Sequence, residues 1–83
     1  MIQGVYSVFD TKANAFLQPF FSVTKGSAIR SFSDAVNDPN HMIAKHREDY
    51  VLFYLGTFED LSGSFKLDPA PVSLGLATEF VRQ

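Results

Sequence analysis

The residues that decide the fold are 24–37, TKGSAIRSFSDAVN, which contain the one amphipathic helical period of the chain. Its apolar residues recur with the spacing of a single helical face: Ala28, Ile29, Phe32, Ala35 and Val36. Thr24 is a suitable N-cap, because its hydroxyl can accept a hydrogen bond from a free N–H group of the first turn. Pro39 restricts the residue before it, so the helix should end near Asn37. The sequence therefore predicts one helix over residues 25–37.

Two strands are predicted before this helix. Residues 4–9, GVYSVF, and residues 15–23 are rich in β-branched and aromatic side chains, as is typical of strands. Residues 10–14 lie between them and supply Asp and Asn, which favour turns. Pro19 has no N–H group to donate to a ladder, so the second strand should lie at a sheet edge or contain a bulge. These residues predict a β-hairpin.

The chain after the helix predicts a second hairpin. Residues 37–49 are a polar connection in which we expect one helical turn, and residues 50–58 alternate as a third strand. A turn at residues 60–63 leads into a short fourth strand over 64–67. The prolines within residues 69–71 should end that strand, because proline cannot donate to a ladder.

The C-terminal tail, residues 72–83, permits two conformations. Its apolar residues alternate with period two, which favours an extended segment, but Leu76 and Phe80 would also lie on one face of a short helix. We expect a single α+β domain over residues 1–83. Its predicted topology is ββαββ, a small antiparallel sheet of two hairpins with one helix between them, followed by an extended or short helical tail.

The predicted sheet leaves one face without cover. One helix covers only one face, while the strands have large apolar residues on both faces. The second face would expose a larger apolar patch than monomers usually tolerate, so the tail or a second subunit would have to cover it. A chain of 83 residues without cysteine has few other sources of stability. We therefore expect a homodimer, formed through the uncovered face or through an edge strand.

Composition argues against several classes of protein. A hydrophobic fraction of 46% with nine phenylalanines is too high for a disordered chain. No apolar run approaches the roughly 18 residues that a membrane span needs, and the first residues lack the pattern of a signal peptide. Without cysteine there is no thiol nucleophile and no cysteine-based zinc site. A net charge of −2 and a pI near 5.5 disfavour strong non-specific binding to nucleic acid.

The only side chains that resemble a metal or hydrolase site are His41 and His46, with Glu48 and Asp49 nearby. Their spacing matches no established zinc pattern, and no nucleophile or oxyanion signature accompanies the carboxylates. Loop histidines that cap a turn or form hydrogen bonds are the simpler interpretation. We therefore expect no metal, no cofactor and no enzymatic activity, and a hydrolase that uses these residues is the remote alternative.

A candidate surface for nucleic acid combines cations with aromatic rings. Its residues are Lys25, Arg30, Lys45, Arg47, Tyr50 and Tyr54. The four cations would form one basic strip if the predicted helix and the loop after it pack side by side. The two tyrosines would offer exposed rings, on which a base stacks with about 1–3 kcal/mol. In the alternative interpretation the cations pair with nearby carboxylates and only keep the surface soluble: Asp34, Asp38, Glu48 and Asp49.

Several blocks of the sequence resemble a known family. They are residues 6–13, YSVFDTKA; 18–20, QPF; 28–39, AIRSFSDAVNDP; 45–50, KHREDY; and 54–63, YLGTFEDLSG. Together they resemble the small nonstructural protein of gokushoviruses, which are single-stranded DNA phages of the microvirus family. The resemblance covers nearly the whole chain. It departs at Ser27, where an acidic residue often completes a capping box, and at Arg47, where a proline is often found.

The resemblance implies a phage protein made in the infected cell and located in the host cytoplasm. It implies an accessory role in viral DNA replication or single-stranded genome synthesis, and it brings no catalytic residues. Two ways of acting stay open. The protein would bind single-stranded DNA, or it would be an adaptor that contacts the replication initiator or host machinery without binding DNA.

Overall fold

The computed structural model of the chain describes residues 1–82, which form an α+β fold of one curled antiparallel sheet and one main helix. The strands are β1 Ile2–Asp10, β2 Ala15–Phe16, β3 Phe20–Ser22, β4 Tyr50–Glu59 and β5 Ser64–Leu76. The helices are α1 Lys25–Val36 and the single turn α2 Met42–Lys45. Two 3-10 turns, Arg47–Asp49 and Ala77–Phe80, precede β4 and follow β5.

The first strand is the centre of the sheet. The strand order is β2-β1-β4-β5, and β3 also pairs with β1. β1 lies antiparallel to β4 along its whole length, from Ile2 opposite Glu59 to Asp10 opposite Tyr50. Leu55 has no partner in this register, which shifts at that point. This bulge bends β4.

The first hairpin has the predicted turn and a broken second strand. Asn14 has a left-handed φ of 55°, and the Asp10 carboxylate accepts hydrogen bonds from the backbone N–H groups of Lys12 and Ala13. The predicted strand over 15–23 is divided into β2 and β3 by residues 17–19. The irregularity expected at Pro19 is therefore confirmed, because the residue lies between the two short edge strands.

Helix α1 begins and ends where the sequence predicts, within one residue. The Thr24 hydroxyl accepts a hydrogen bond from the N–H of Ser27 at 3.1 Å, which confirms the N-cap. Ala28, Phe32 and Val36 are buried against the sheet. The helix ends at Val36 with Asn37 as its C-cap. The polar connection that follows contains α2 and a 3-10 turn rather than one helical turn.

The fourth predicted strand is longer than expected. β5 runs from Ser64 to Leu76 and passes through Pro69 and Pro71, so the expectation that these prolines end the strand is wrong. The physical reason is their position: β5 is an edge strand, and residues 68–71 have no partner on β4. A proline there removes no hydrogen bond from the ladder.

Glycine is required at two positions of the β4–β5 hairpin. Gly63 has a φ of 73° in the turn, as predicted. Gly56 has a φ of 152°, and a Cβ atom there would lie 2.4 Å from the carbonyl oxygen of Lys66. The backbone of β5 therefore approaches β4 at a distance that only glycine permits.

The C-terminal tail combines the two predicted conformations. It is extended as far as Leu76 and then forms the 3-10 turn Ala77–Phe80. This turn packs on α1, where the rings of Phe80 and Phe32 lie 5.5 Å apart. The Asn37 side chain donates to the carbonyl oxygen of Phe80 at 3.0 Å and accepts from the N–H of Arg82 at 2.9 Å. The tail is therefore held on the helix side of the sheet.

One core lies between the sheet and the helices. It consists of Tyr6, Val8, Ala28, Phe32, Val36, Ile43, Tyr50, Leu52 and Ala77. The strand residues of this core are even-numbered, so they share the sheet face toward α1, which we call the helix face. Within residues 1–82, every buried polar side-chain atom has a hydrogen-bond partner. No helix in this part of the chain is long and apolar enough to cross a membrane.

Candidate functional site

Three of the predicted strip cations are exposed and unpaired. Lys25 lies at the start of α1, Arg30 on its outer side and Lys45 at the end of α2. None of them forms an ion pair with a residue in the range 1–82. The Asp34 carboxylate, a predicted partner, binds the guanidinium of Arg82 instead. Within the described chain, the ion pairs that the alternative interpretation expects for these three cations are therefore absent.

The fourth cation, Arg47, has a structural contact. Its Nε donates to the carbonyl oxygen of Val36 at 2.9 Å, and the residue is half-buried. The last carbonyl groups of a helix lack partners within the helix, and a guanidinium satisfies one of them here. Arg47 therefore joins the connection after α1 to the end of that helix.

The two tyrosines do not offer exposed rings, which corrects the predicted stacking surface. Tyr50 is only 6% exposed and belongs to the core. Tyr54 is half-buried, with its ring centroid 5.5 Å from that of Tyr6. Both lie on the helix face, because they alternate with residues that point the other way. The sequence showed this alternation, but it did not show which of the two faces is covered.

Burial also changes the ionisation of the tyrosines. Desolvation raises the pKa of Tyr50, and the carboxylates of Asp10 and Asp49 raise it further. Desolvation likewise raises the pKa of Tyr6, with a smaller contribution from Tyr54. The neutral phenol is the form that these positions stabilise.

The two histidines have different surroundings. His41 Nδ1 accepts a hydrogen bond from the N–H of Ile43 at 3.2 Å and caps α2, which is the simpler role expected for it. His46, Glu48 and Asp49 place ligand atoms within 4.8 Å of one another near the surface. Such an exposed group is common without any metal.

A shallow groove of about 270 Å³ lies between α1 and the β2–β3 edge of the sheet. Apolar side chains from both elements line it, including Leu17, Phe20 and Phe32. His41 is the one titratable side chain in its lining, and no described charged residue contacts it. The groove lies directly above the core.

The other face of the sheet has two groups of phenylalanine side chains. The first phenylalanine cluster is Phe9, Phe16 and Phe53, with ring centroids 4.9–6.3 Å apart. The second phenylalanine cluster is Phe21, Phe58 and Phe65, with centroids 4.7–6.1 Å apart. Six of the nine phenylalanines thus lie on the sheet face opposite α1, which we call the phenylalanine face.

The phenylalanine face is uncharged and open. Its paired positions form four rungs across the strands: Gln3–Phe58–Phe65, Phe21–Val5–Gly56–Leu67, Ser7–Phe53–Ser73 and Phe16–Phe9–Val51–Leu76. None of these residues is charged. No helix or turn of residues 1–82 lies across them, since α1, α2 and the tail all pack on the helix face. The expectation of one uncovered apolar face is therefore confirmed, and the tail does not cover it.

Comparisons with known proteins agree with the resemblance seen in the sequence. The family described as Phage ORF5 protein matches residues 3–80. The chain is also 35% identical over 77 residues to Protein ORF5 of Chlamydia phage 1, an alignment that covers 88% of this chain and 76% of that protein. The chain belongs to the Phage ORF5 protein family. No solved structure matches it.

In this member of the Phage ORF5 protein family, Arg30 and Lys45 lie on the opposite side of the sheet from the exposed rings. Arg30 lies on the side of α1 that points away from the sheet, and Lys45 lies on the adjacent α2. The exposed rings of Phe16, Phe21 and Phe65 lie on the phenylalanine face. Alternation along the strands indicated that these rings share one face of the sheet. It did not indicate that this face is the exposed one.

Proposed function

We propose that this protein is a non-enzymatic accessory factor in replication of the phage DNA or in synthesis of the single-stranded genome. It acts in the host cytoplasm through protein–protein contact, as an adaptor to the replication initiator or to host machinery. Membership of the Phage ORF5 protein family supports a phage protein, and the surface described above supports this mode of action.

The absence of charge around the exposed rings of the described chain favours a protein partner over DNA. Surfaces that bind single-stranded nucleic acid place aromatic rings beside cations, so that bases stack while phosphates are neutralised. Here the exposed rings of Phe16, Phe21 and Phe65 lie on an uncharged face. An apolar patch without charge is instead typical of the centre of a protein–protein interface.

Binding of single-stranded DNA is the second candidate. The unpaired charges of Lys25, Arg30 and Lys45 favour it, since three free cations lie on the helix side of the molecule. These residues would contact phosphates without a neighbouring stacking ring. Such binding would be weak and would decrease steeply as the salt concentration rises.

The first experiment measures DNA binding by fluorescence anisotropy with the single-stranded and double-stranded DNA of the phage at physiological salt. We expect no saturable binding of either form. The test variant combines Lys25→Glu with Arg30→Glu. The control variant combines Lys12→Glu with Lys66→Glu, which changes the net charge by the same amount. Saturable binding that only the first pair abolishes would support the DNA candidate and contradict the adaptor.

The second experiment tests the adaptor directly. The purified protein is immobilised and incubated with the purified replication initiator of the same phage, with and without nuclease. We expect retention that nuclease does not change, because the contact is between two proteins. Retention that disappears with nuclease would indicate a DNA bridge, and no retention at all would contradict the initiator as the partner.

A further inference from the structure

We propose that the phenylalanine face binds the same face of a second copy of this chain, so that the protein is a two-fold symmetric homodimer. The inference rests on the proposed function as a protein-contact factor, and it names the occupant of that face. In such a dimer the outer sides of the helices, with Lys25, Arg30 and Lys45, stay available for a replication partner on both sides.

The chain itself provides no cover for this face. The segment with enough apolar residues to do so is the tail, and the contacts of Asn37 with Phe80 and Arg82 hold it on the other side. The ion pair of Arg82 with Asp34 adds to this attachment. Cover for the phenylalanine face therefore has to come from another molecule.

The exposed apolar area reaches the lower limit for a specific dimer interface. At about 200 Å² for a fully exposed ring, the exposed fractions of Phe16, Phe21 and Phe65, which are 42%, 44% and 55%, leave about 280 Å² in water. Leu67, which is 61% exposed, and the half-buried members of the face raise this to about 500 Å². Two copies would then bury about 1,000 Å² in total, the lower bound of a specific interface.

The chemistry of the face favours a copy of itself over an unlike partner. In a two-fold interface each residue type meets the same patch of the other chain. A charged patch would repel its copy, whereas a face of phenylalanine, valine and leucine with serine and glutamine at its paired positions is complementary to itself. Phenylalanine rings also gain from offset and edge-to-face contacts with one another.

The sheet edges are poorer places for self-association. On one edge, residues 17–19 with Pro19 separate β2 from β3, which has only three residues. On the other edge, Pro69 and Pro71 interrupt the N–H groups of β5. Proline at an edge blocks continuous pairing with another strand. Of the two routes predicted from the sequence, the structure therefore favours the face.

The test compares two lysine substitutions on the same strand by sedimentation equilibrium at tens of micromolar protein. Phe65→Lys changes the phenylalanine face, and the control Val72→Lys changes a residue of similar exposure, 46%, on the opposite face. Because both side chains are largely exposed in the monomer, the new ammonium group stays in water and the fold is retained. Circular dichroism checks the fold.

We expect the wild-type chain and Val72→Lys to sediment with twice the chain mass of 9.3 kDa. Phe65→Lys should raise the dissociation constant about tenfold or more, since each copy loses an aromatic contact and gains a charge in the apolar interface. Phe16→Lys, in the first phenylalanine cluster, should do the same. A wild-type chain that stays monomeric would overturn the dimer, as would a dimer that both face variants leave unchanged.

Different outcomes of these experiments reject the dimer and the proposed function. A monomer that still retains the replication initiator would reject only the dimer. A dimer that retains neither the initiator nor DNA would keep the dimer and reject the initiator and DNA as partners.

Discussion

The two faces of the sheet come from the same strands and differ in side-chain composition and in what covers them. The helix face contains all three tyrosines, Tyr6, Tyr50 and Tyr54, and is covered by α1, α2 and the tail. The phenylalanine face contains six phenylalanines and has no cover within residues 1–82. Alternate residues of one strand thus have different roles: one set packs in the core under the helices, and the other set forms an exposed apolar surface.

The phenylalanine face is not simply exposed, because it has a small packed layer of its own. Val5 is 2% exposed although no helix covers it. Phe21 and Phe58 lie on strands on either side of β1, yet their ring centroids are 5.3 Å apart. The curl of the sheet brings these rings together above β1. The face therefore presents ordered rings and not loose side chains.

The largest expected effect contrasts two neighbouring residues of β4. Leu52 is fully buried on the helix face, and Phe53 is half-buried on the phenylalanine face. Leu52→Ala should lower the free energy of unfolding by about 3–4 kcal/mol, because a core cavity forms. In the monomer, Phe53→Ala should cost less although it removes more atoms, since its ring is partly in water there. Urea denaturation at a protein concentration that keeps the chain monomeric measures both, and equal losses would contradict the contrast.

A smaller effect is expected where the tail is attached to the helix side. Asn37→Ala removes hydrogen bonds to Phe80 and Arg82 and should cost about 1–3 kcal/mol. Hydrogen exchange of residues 77–82 should rise with it. Asn40→Ala is the control, because the Asn40 side chain makes no hydrogen bond within the described chain. A tail that exchanges equally in both variants would show that Asn37 does not hold it.

The smallest effect is confined to alkaline pH and to the helix face. Burial raises the pKa of Tyr6 and Tyr50 above the value of about 10 in the unfolded chain. The folded state then keeps protons that the unfolded state releases, so stability is complete below about pH 10 and falls as pH rises further. Urea midpoints at about pH 8 and about pH 11 measure the fall. Tyr50→Phe should make the decrease in the urea midpoint between these pH values smaller. An unchanged decrease would exclude Tyr50 as a cause of the pH dependence.

Local sequence signals predicted most of the elements. The period of residues 25–37 and the Thr24 cap gave α1, and Asn14 and Gly63 have the left-handed φ expected of turn residues. What the sequence did not give depends on tertiary position. Proline ends an inner strand but is tolerated at an edge, and only the assembled sheet shows that Pro69 and Pro71 lie at one.

The candidate site was predicted less well, for a related reason. Alternation along β4 divides its residues between two faces, but it does not say which face α1 will cover, so Tyr50 was assigned to the surface. Arg47 has a partner that no spacing rule predicts, the carbonyl oxygen of Val36. Lys25, Arg30 and Lys45 were correctly expected at the surface, because they lie on the polar side of short helices.

The central position of β1 has a consequence for the order of folding. β1 is synthesised before its partners, and its long partner β4 ends only at Glu59, so the middle of the sheet cannot close until that residue has left the ribosome. Until then only the short strands β2 and β3 can pair with it. Pairing between segments so distant in sequence is slow, because a long loop has to close. The nascent chain therefore keeps one edge of β1 open until β4 has been synthesised.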